Sequence, residues 1–450
     1  MTQDSSGSGR VLVIGGGIAG LTSALQLARS GQAVDLVERD TVLGGHAMLF
    51  TCKATDRCQK CTVCMVNDRI REILDEPLVR VRTGQEVVGV ERADGRFQVR
   101  LKSAGAPVDA AKCIACGLCT EECPTTPEPS ISLASDQGMP RVYRVSEETC
   151  LVYLGKECER CVAVCPTEAI AFGREREIAE ETYGGIIVAT GYRPFAAERL
   201  TQYGYRHFPD VITGLDLEMR LRREGRLTRP SDGSVPKRVA FIQCVGSRDV
   251  KHNRYCSRVC CAYAVRCANK LSYLEPESEI AIFYMDLQAF GKDFAGWRDR
   301  LRGRVRLVRS HPAFIEMAPE GGLRLAYESV ETNQIDREPF DLIVLSVGLC
   351  PGSDTAGLAE MLGIGLDEDG FLLARAREAG GRSKGEGRGG LGPDETLTQV
   401  PGLFLAGTCQ GPRDIAGSIG HASAAAGAML HHLRGSQLVT VEERDDDARG

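Results

Sequence analysis

Short, wholly apolar runs that end in glycine turns punctuate the chain. The run beginning at Arg10 and ending at Ile14 predicts a buried strand, and Gly15-Gly-Gly17-Ile18-Ala19-Gly20 follows it directly. Leu21, Ala24, Leu25 and Ala28 then recur at three- and four-residue spacing, which predicts an amphipathic helix. Val34 to Val37 reads as the next strand and ends at Glu38. The same texture returns at Gly185-Ile-Ile-Val-Ala189-Thr190-Gly191 and at Gly402-Leu-Phe-Leu-Ala-Gly407-Thr408. After the last of these come Asp414, Ile415 and a small-residue helix from about Ser418 to Leu430. A further strand is predicted at Arg238-Val-Ala-Phe-Ile242. Strands alternating with helices give an α/β fold with parallel sheets.

The first unit has the chemistry of a dinucleotide cradle. Gly15 permits a tight turn, Gly17 lets the backbone approach a pyrophosphate, and Gly20 allows the helix to pack closely. The helix N-terminus favours phosphate charge, and Glu38 is placed to accept ribose hydroxyls. The continuation Leu43-Gly44-Gly45-His46 resembles the second glycine turn of flavoproteins with two Rossmann-like dinucleotide-binding domains, the thioredoxin-reductase and FAD-disulfide-reductase type. That resemblance implies FAD, held by three separated parts of the chain. The first part supplies Gly15, Gly17, Ile18, Ala19, Gly20, Glu38, Arg39, Gly44, Gly45 and His46, with Val87 and Val88 further on. Ala189, Thr190 and Gly191 form the second part, and Gly407, Thr408, Asp414, Ile415 and Ser418 the third. The resemblance also implies that the last helix points its N-terminus at the flavin ring, where its dipole favours the reduced anion. His46 and His421 are open to a flavin contact or an ordinary structural role.

Between these parts lies Cys113-Ile-Ala-Cys116-Gly-Leu-Cys119-Thr-Glu-Glu-Cys123-Pro124, the bacterial ferredoxin spacing for [4Fe–4S] clusters. In that pattern the fourth cysteine serves the other cluster. A partner stretch follows, with Cys150 and then Cys158-Glu-Arg-Cys161-Val-Ala-Val-Cys165-Pro166. One cluster is assigned to Cys113, Cys116, Cys119 and Cys165, and the other to Cys123, Cys150, Cys158 and Cys161. The gap from Cys150 to Cys158 is wider than the usual spacing. A zinc ribbon is the competing reading.

Where a nicotinamide domain would carry a second glycine fingerprint, the turn reads Gln243-Cys244-Val-Gly246-Ser-Arg-Asp. Cys244 stands in place of the first glycine and the third is absent, so the nicotinamide function is expected to be lost. Cys256, Cys260 and Cys261 follow, and on their residues alone a metal cage, a redox disulfide and buried cysteines remain open. Cys244-Val-Gly-Ser-Arg-Asp with Tyr255-Cys-Ser-Arg-Val-Cys-Cys261 is similar to the A subunit of heterodisulfide reductase. The resemblance runs from about Val11 to Ala428 and includes the inserted ferredoxin module and Gly411-Pro-Arg-Asp-Ile415. It is nearest to the shorter forms in sulfur-oxidising complexes and quinone-interacting oxidoreductases. It implies a [4Fe–4S] cluster on Cys244, Cys256, Cys260 and Cys261, and partners like the heterodisulfide reductase B and C subunits on top of a homodimer. Cys52, Cys58, Cys61 and Cys64 offer a fourth iron–sulfur site, against a zinc site or a substrate-facing thiol set. Cys267, Cys350 and Cys409 stand alone and are expected in the core.

Composition narrows the classes. The 450 residues allow two or three domains, and a net charge of −6 gives no basic footprint for nucleic acid. Nineteen cysteines without an apolar leader in Met1 to Arg10 argue for metal-bound thiols in a reducing cytoplasm. No apolar stretch is long enough to span a membrane. The expected organisation is a flavin domain in three parts (10–108, 173–235, 346–436), a 2[4Fe–4S] ferredoxin insert at 109–172, a second Rossmann-like domain at 236–345 and a disordered tail at 437–450. A mobile loop is expected from Gly380 to Gly392. The function expected is electron transfer by an iron–sulfur flavoprotein that forms part of a larger complex, with no acid–base pair of its own. Its rivals are an NAD(P)H-dependent reductase, like the small chain of glutamate synthase, and a non-catalytic iron–sulfur scaffold.

Overall fold

The computed structural model describes residues 9–447 apart from 104, 111, 126–127, 136–137, 174–176, 289–295, 297–298, 300, 302, 320 and 376–394, with side chains of the last helix described to residue 435. The loop from Gly380 to Gly392 therefore lies outside the described residues.

Two five-stranded parallel sheets form the frame. The first runs Leu403–Leu405, Gly185–Val188, Val11–Ile14, Val34–Glu38, Val79–Thr83, so three distant parts of the chain are neighbours in it. Val11 to Val13 are fully buried, as a strand covered on both faces requires. The helix Ile18–Arg29 packs against this sheet and against the last helix, with Ser23 donating to the Ala422 carbonyl at 3.2 Å. Asp35 is the exception inside the sheet. Its carboxylate is fully buried and receives Arg10 at 3.1 Å, Arg80 at 3.0 Å and the Tyr183 hydroxyl at 2.8 Å, the pairing that a buried charge needs.

The second sheet runs Val211–Thr213, Leu342–Val347, Arg238–Val245, Glu279–Tyr284, Val305–Arg309. Val211–Thr213 pairs with Leu342–Val347, and the following helix Gly214–Glu224 packs Leu217 and Leu221 into this sheet's core. The part of 173–235 from about Phe195 onward thus packs with the second domain rather than the flavin domain. A three-residue strand carries too little pattern to reveal this in sequence.

The ferredoxin module leaves from one antiparallel sheet and returns to it. Arg96–Ser103 pairs with Ile178–Tyr183, and the intervening residues build their own core from Val108, Ile131, Val142, Val145 and Ile170 around the cysteines. The final helix spans Ile415–Asp447. It starts three residues before the expected Ser418 because Asp414 caps it, accepting the Gly417 amide at 2.7 Å. It continues through 437–447, the stretch expected to be a disordered tail.

Candidate functional site: a dinucleotide cleft among cysteine cages

A cleft of about 620 Å3 opens where the first sheet ends against the second domain. Gly15, Gly17, Ile18, Ala19, Glu38 and Arg39 line one end of it. Gly44, Gly45, His46, Ala189, Thr190 and Gly191 line the middle. Thr408, Asp414, Ile415 and Ser418 close it from the last helix. The three separated parts of the chain thus meet in one wall. Gly20 and Gly407 lie behind that wall. A Cβ at Gly20 would stand 1.8 Å from the Gly15 carbonyl oxygen, and one at Gly407 would stand 2.6 Å from the Ala19 Cβ. Val87 and Val88 sit in the strand Gln85–Ala93 and are not among the lining residues.

The residues fit a dinucleotide. A Cβ at Gly17 would meet no atom within 4 Å, so the backbone there faces open space that a pyrophosphate can approach. Gly15 has φ +106, and a Cβ on it would lie 2.5 Å from the Ala189 carbonyl oxygen. Glu38 accepts the Gly16 amide at 2.6 Å and the Asp40 amide at 2.8 Å, so its carboxylate is held rigidly at the mouth. Burial raises its pKa, and the two amides partly offset that. His46 stacks on Tyr192 with centroids 4.6 Å apart, and burial lowers its pKa. His421 faces away. Its Nδ1 accepts the Gly407 amide at 3.0 Å, and burial depresses its pKa to about 4. It is a structural residue.

Several cleft residues carry no sequence signal. The second domain contributes Glu218, Tyr263 and Arg266. Lys53 and Glu218 form a buried ion pair in the wall, and the Thr51 amide donates to Glu218 at 2.9 Å. Arg413, which the sequence resemblance does include in its Gly-Pro-Arg-Asp segment, also lines the cleft and pairs with Glu395 at 3.2 Å. Only tertiary packing brings these groups together.

The ferredoxin cysteines fall into the two expected sets. Cys113, Cys116, Cys119 and Cys165 line one small void, with Gly117 in the left-handed region at φ +92 to turn the loop. Cys123, Cys150, Cys158 and Cys161 line a second. Cys150, with its unusual spacing, takes its place because the Cys150–Gly155 turn brings it under Cys158 and Cys161, where burial and mutual repulsion push the Cys161 thiol up to about 11. Amides of Ser130 and Ala169 donate to Cys123 and Cys165 sulfurs at 3.3 Å each. Such bonds favour the thiolate. Among the described residues no three His, Cys, Asp or Glu side chains converge on single-ion geometry.

Cys244 sits at the end of Arg238–Val245 with φ +58, a glycine-like backbone in a strand whose register shifts between Ile242 and Val245. The strand runs past the expected turn, and Cys244 occupies the kink. Cys256 lies in the following loop, and Cys260 and Cys261 open the helix Cys260–Leu274. Burial pushes the Cys244 thiol up to about 11, with Cys261 and Cys256 close enough to raise it further. Cys260 and Cys261 share a hydrogen bond that raises the first and lowers the second. Cys260 thus lies near Cys244, Cys256 and Cys261, and Cys244 near Cys256 and Cys261. The same helix presents Tyr263 and Arg266 to the cleft, so this set adjoins it directly.

In the fourth set only Cys61 reaches the cleft, while Cys52, Cys58 and Cys64 are exposed. Arg266 donates to the carbonyls of Gln59 at 3.1 Å and Lys60 at 3.3 Å, and Lys270 donates to that of Cys52 at 2.5 Å, tying this loop to the helix of Cys260 and Cys261. Cys267, Cys350 and Cys409 are buried.

The fold and cleft define a flavoprotein of the two-dinucleotide-domain class with an iron–sulfur insert. A family described as FAD dependent oxidoreductase matches residues 10–115, and one described as 4Fe-4S binding domain matches residues 106–125. The structure superposes on Lactococcus lactis thioredoxin reductase in its FR conformation with a TM-score of 0.52 and 17% identity, covering 95% of this chain and 100% of that one. The chain is 35% identical over 462 residues to the second iron–sulfur A subunit of CoB–CoM heterodisulfide reductase from Methanopyrus kandleri, covering 98% of this chain and 67% of the relative. It is 33% identical over 461 residues to the A subunit of ferredoxin:CoB–CoM heterodisulfide reductase from Methanosarcina acetivorans, covering 93% of this chain and 56% of that relative. The A subunit of H(2):CoB–CoM heterodisulfide,ferredoxin reductase from Methanothermobacter thermautotrophicus is 32% identical over 458 residues, with coverages of 97% and 66%. The chain belongs to the family of heterodisulfide reductase iron–sulfur A subunits. It spans between just over half and two thirds of the length of these relatives. No helix among the described residues is long and apolar enough to cross a membrane.

Proposed function

We propose that this chain is an electron-transfer subunit of a heterodisulfide-reductase-like complex, carrying one FAD and [4Fe–4S] clusters on the two ferredoxin sets and on Cys244, Cys256, Cys260 and Cys261. The observation that carries the proposal is the placement of Cys244. It holds a glycine's backbone conformation at the turn where a nicotinamide cofactor would bind, and its cysteine set adjoins the dinucleotide cleft. A cluster there stands in for the hydride donor, which disfavours an NAD(P)H-dependent reductase.

FAD, when bound, exchanges electrons in pairs or singly, and iron–sulfur clusters pass them singly. The chain's own residues position these groups. The Gly15–Gly20 turn receives the pyrophosphate and Glu38 the ribose. The half-buried Tyr192 and Tyr263 line the cleft beside the glycine turns, and the amides on Cys123 and Cys165 help set cluster potentials. Cys52, Cys58, Cys61 and Cys64 are the candidate ligands of a fourth cluster. Sulfur-compound metabolism in the cytoplasm, a homodimer, and partners like the heterodisulfide reductase B and C subunits complete the proposal. Anaerobic native purification with mass spectrometry tests it. Co-purification with such subunits is expected, and a solitary protein that reduces a small disulfide unaided would contradict it.

A further inference from the structure

One strand of the ferredoxin module touches three sites. Successive side chains of a strand point to opposite faces. In Tyr143–Val145, Tyr143 lines the void of Cys113, Cys116, Cys119 and Cys165, and Val145 lines that of Cys123, Cys150, Cys158 and Cys161. Arg144 between them turns the other way, into the dinucleotide cleft. The strand pairs with Ile131–Leu133, and Ala134 and Ser135, which follow that partner, line the same cleft. This end of the cleft is the one bounded by Glu38 and Arg39, where the ribose of a bound dinucleotide falls. The module is fastened there. The Leu43 amide donates to the Met139 carbonyl at 2.9 Å, Val42 packs against the module's core, and Arg144 lies 3.4 Å from Asp40.

We infer that the ferredoxin module is itself part of the flavin site: Arg144, with Ala134 and Ser135, closes over the adenosine half of FAD, and filled cysteine cages are needed to hold it there. The inference rests on the flavoprotein reading above. Two three-residue strands hold little structure by themselves. Their inner face is built on Ile131, Tyr143 and Val145, all in the walls of the two voids. A cluster bonded to four thiolates anchors that face, and the anchored hairpin presents Arg144 on the other. Arg39, paired with Asp354 at 2.7 Å, and Arg144, paired with Asp40 at 3.4 Å, then bracket the adenosine end from its two sides.

The test is an anaerobic titration of the flavin-depleted full chain with FAD, followed by flavin fluorescence, with iron measured on the same samples. Arg144→Ala changes an exposed side chain, so it should keep its full iron content and bind FAD about tenfold more weakly, equal to about 1.4 kcal/mol. Cys161→Ala should lose the iron of one cage and weaken FAD binding at least as much, although Cys161 is far in sequence from the glycine turn. Wild-type affinity in Arg144→Ala, or in a folded Cys161→Ala variant that has lost its iron, would overturn the inference alone. A wild-type chain that takes up no FAD would overturn the flavoprotein reading and this inference with it.

Discussion

Two glycines three residues apart should fail in different ways when each becomes alanine. At Gly20 the new Cβ would fall 1.8 Å from the Gly15 carbonyl oxygen, whereas real Cβ contacts stay beyond 3.0 Å. The helix Ile18–Arg29 must therefore retreat by more than an ångström from the turn it caps. Leu36 Cδ1 already stands at van der Waals distance, 3.5 Å, from the same point. Overpacking of this kind costs about 1–3 kcal/mol. Gly20→Ala should therefore lower the melting temperature of the flavin-free chain, and weaken FAD binding only as far as the displaced Gly15 turn no longer meets the pyrophosphate. At Gly17 the Cβ meets nothing within 4 Å, and φ is −75°, a value alanine accepts. Gly17→Ala should move the flavin-free melting temperature by only a degree or two, because alanine is the poorer N-cap by roughly 1 kcal/mol while its stiffer unfolded chain returns roughly 0.4–1 kcal/mol. The methyl group then occupies the space that the pyrophosphate needs, so FAD affinity should fall at least about tenfold, or about 1.4 kcal/mol. Fluorescence titration with FAD and thermal melts of the flavin-free variants separate the two effects. Wild-type FAD affinity in Gly17→Ala would refute the placement of the pyrophosphate.

Cofactor content should follow the cysteine sets. Anaerobic protein should hold about twelve irons per flavin from three cubanes, whereas about sixteen would add the Cys52–Cys64 set and about eight would remove the Cys244 set. Replacing Cys260 by Ala should remove one cluster's electron paramagnetic resonance signal and leave FAD bound; an unchanged spectrum would mean that these thiols are not ligands. His421 is held neutral, with its pKa depressed to about 4 in the fold against an ordinary value of 6.5. The unfolded chain therefore binds the extra proton first. Stability from this residue is full above pH 6.5 and falls by about 1.4 kcal/mol per unit as pH drops toward 4. Melting temperatures of His421→Asn between pH 7 and 5 should decline less steeply than those of wild type, and identical slopes would refute the assignment.

The parts of the site visible in sequence are those that local geometry dictates. Gly15, Gly17 and Gly20 announce the cradle because one turn needs all three, and the ferredoxin spacings announce the two voids because short loops must aim thiols inward. Cys244 could be read against the expected glycine, although its kink inside a strand could not. Other features have no local signature. Val211–Thr213 joins the second sheet through pairing 132 residues away in sequence, at Ile343. Lys53 and Glu218 meet across 165 residues, and their burial follows only from the packing of two domains. Arg144 reads as an ordinary strand residue until the module is docked.

An anaerobic reductive titration of the purified chain, followed by visible absorption and electron paramagnetic resonance, tests the central claim most directly. A low-potential chemical reductant should bleach both the flavin and the iron–sulfur bands and bring up the spectra of reduced clusters, while NADH or NADPH alone should change neither. A flavin bleached at catalytic rates by a nicotinamide, or clusters that stay oxidised while the flavin is fully reduced, would contradict an electron-transfer protein in which the Cys244 set has replaced the nicotinamide site.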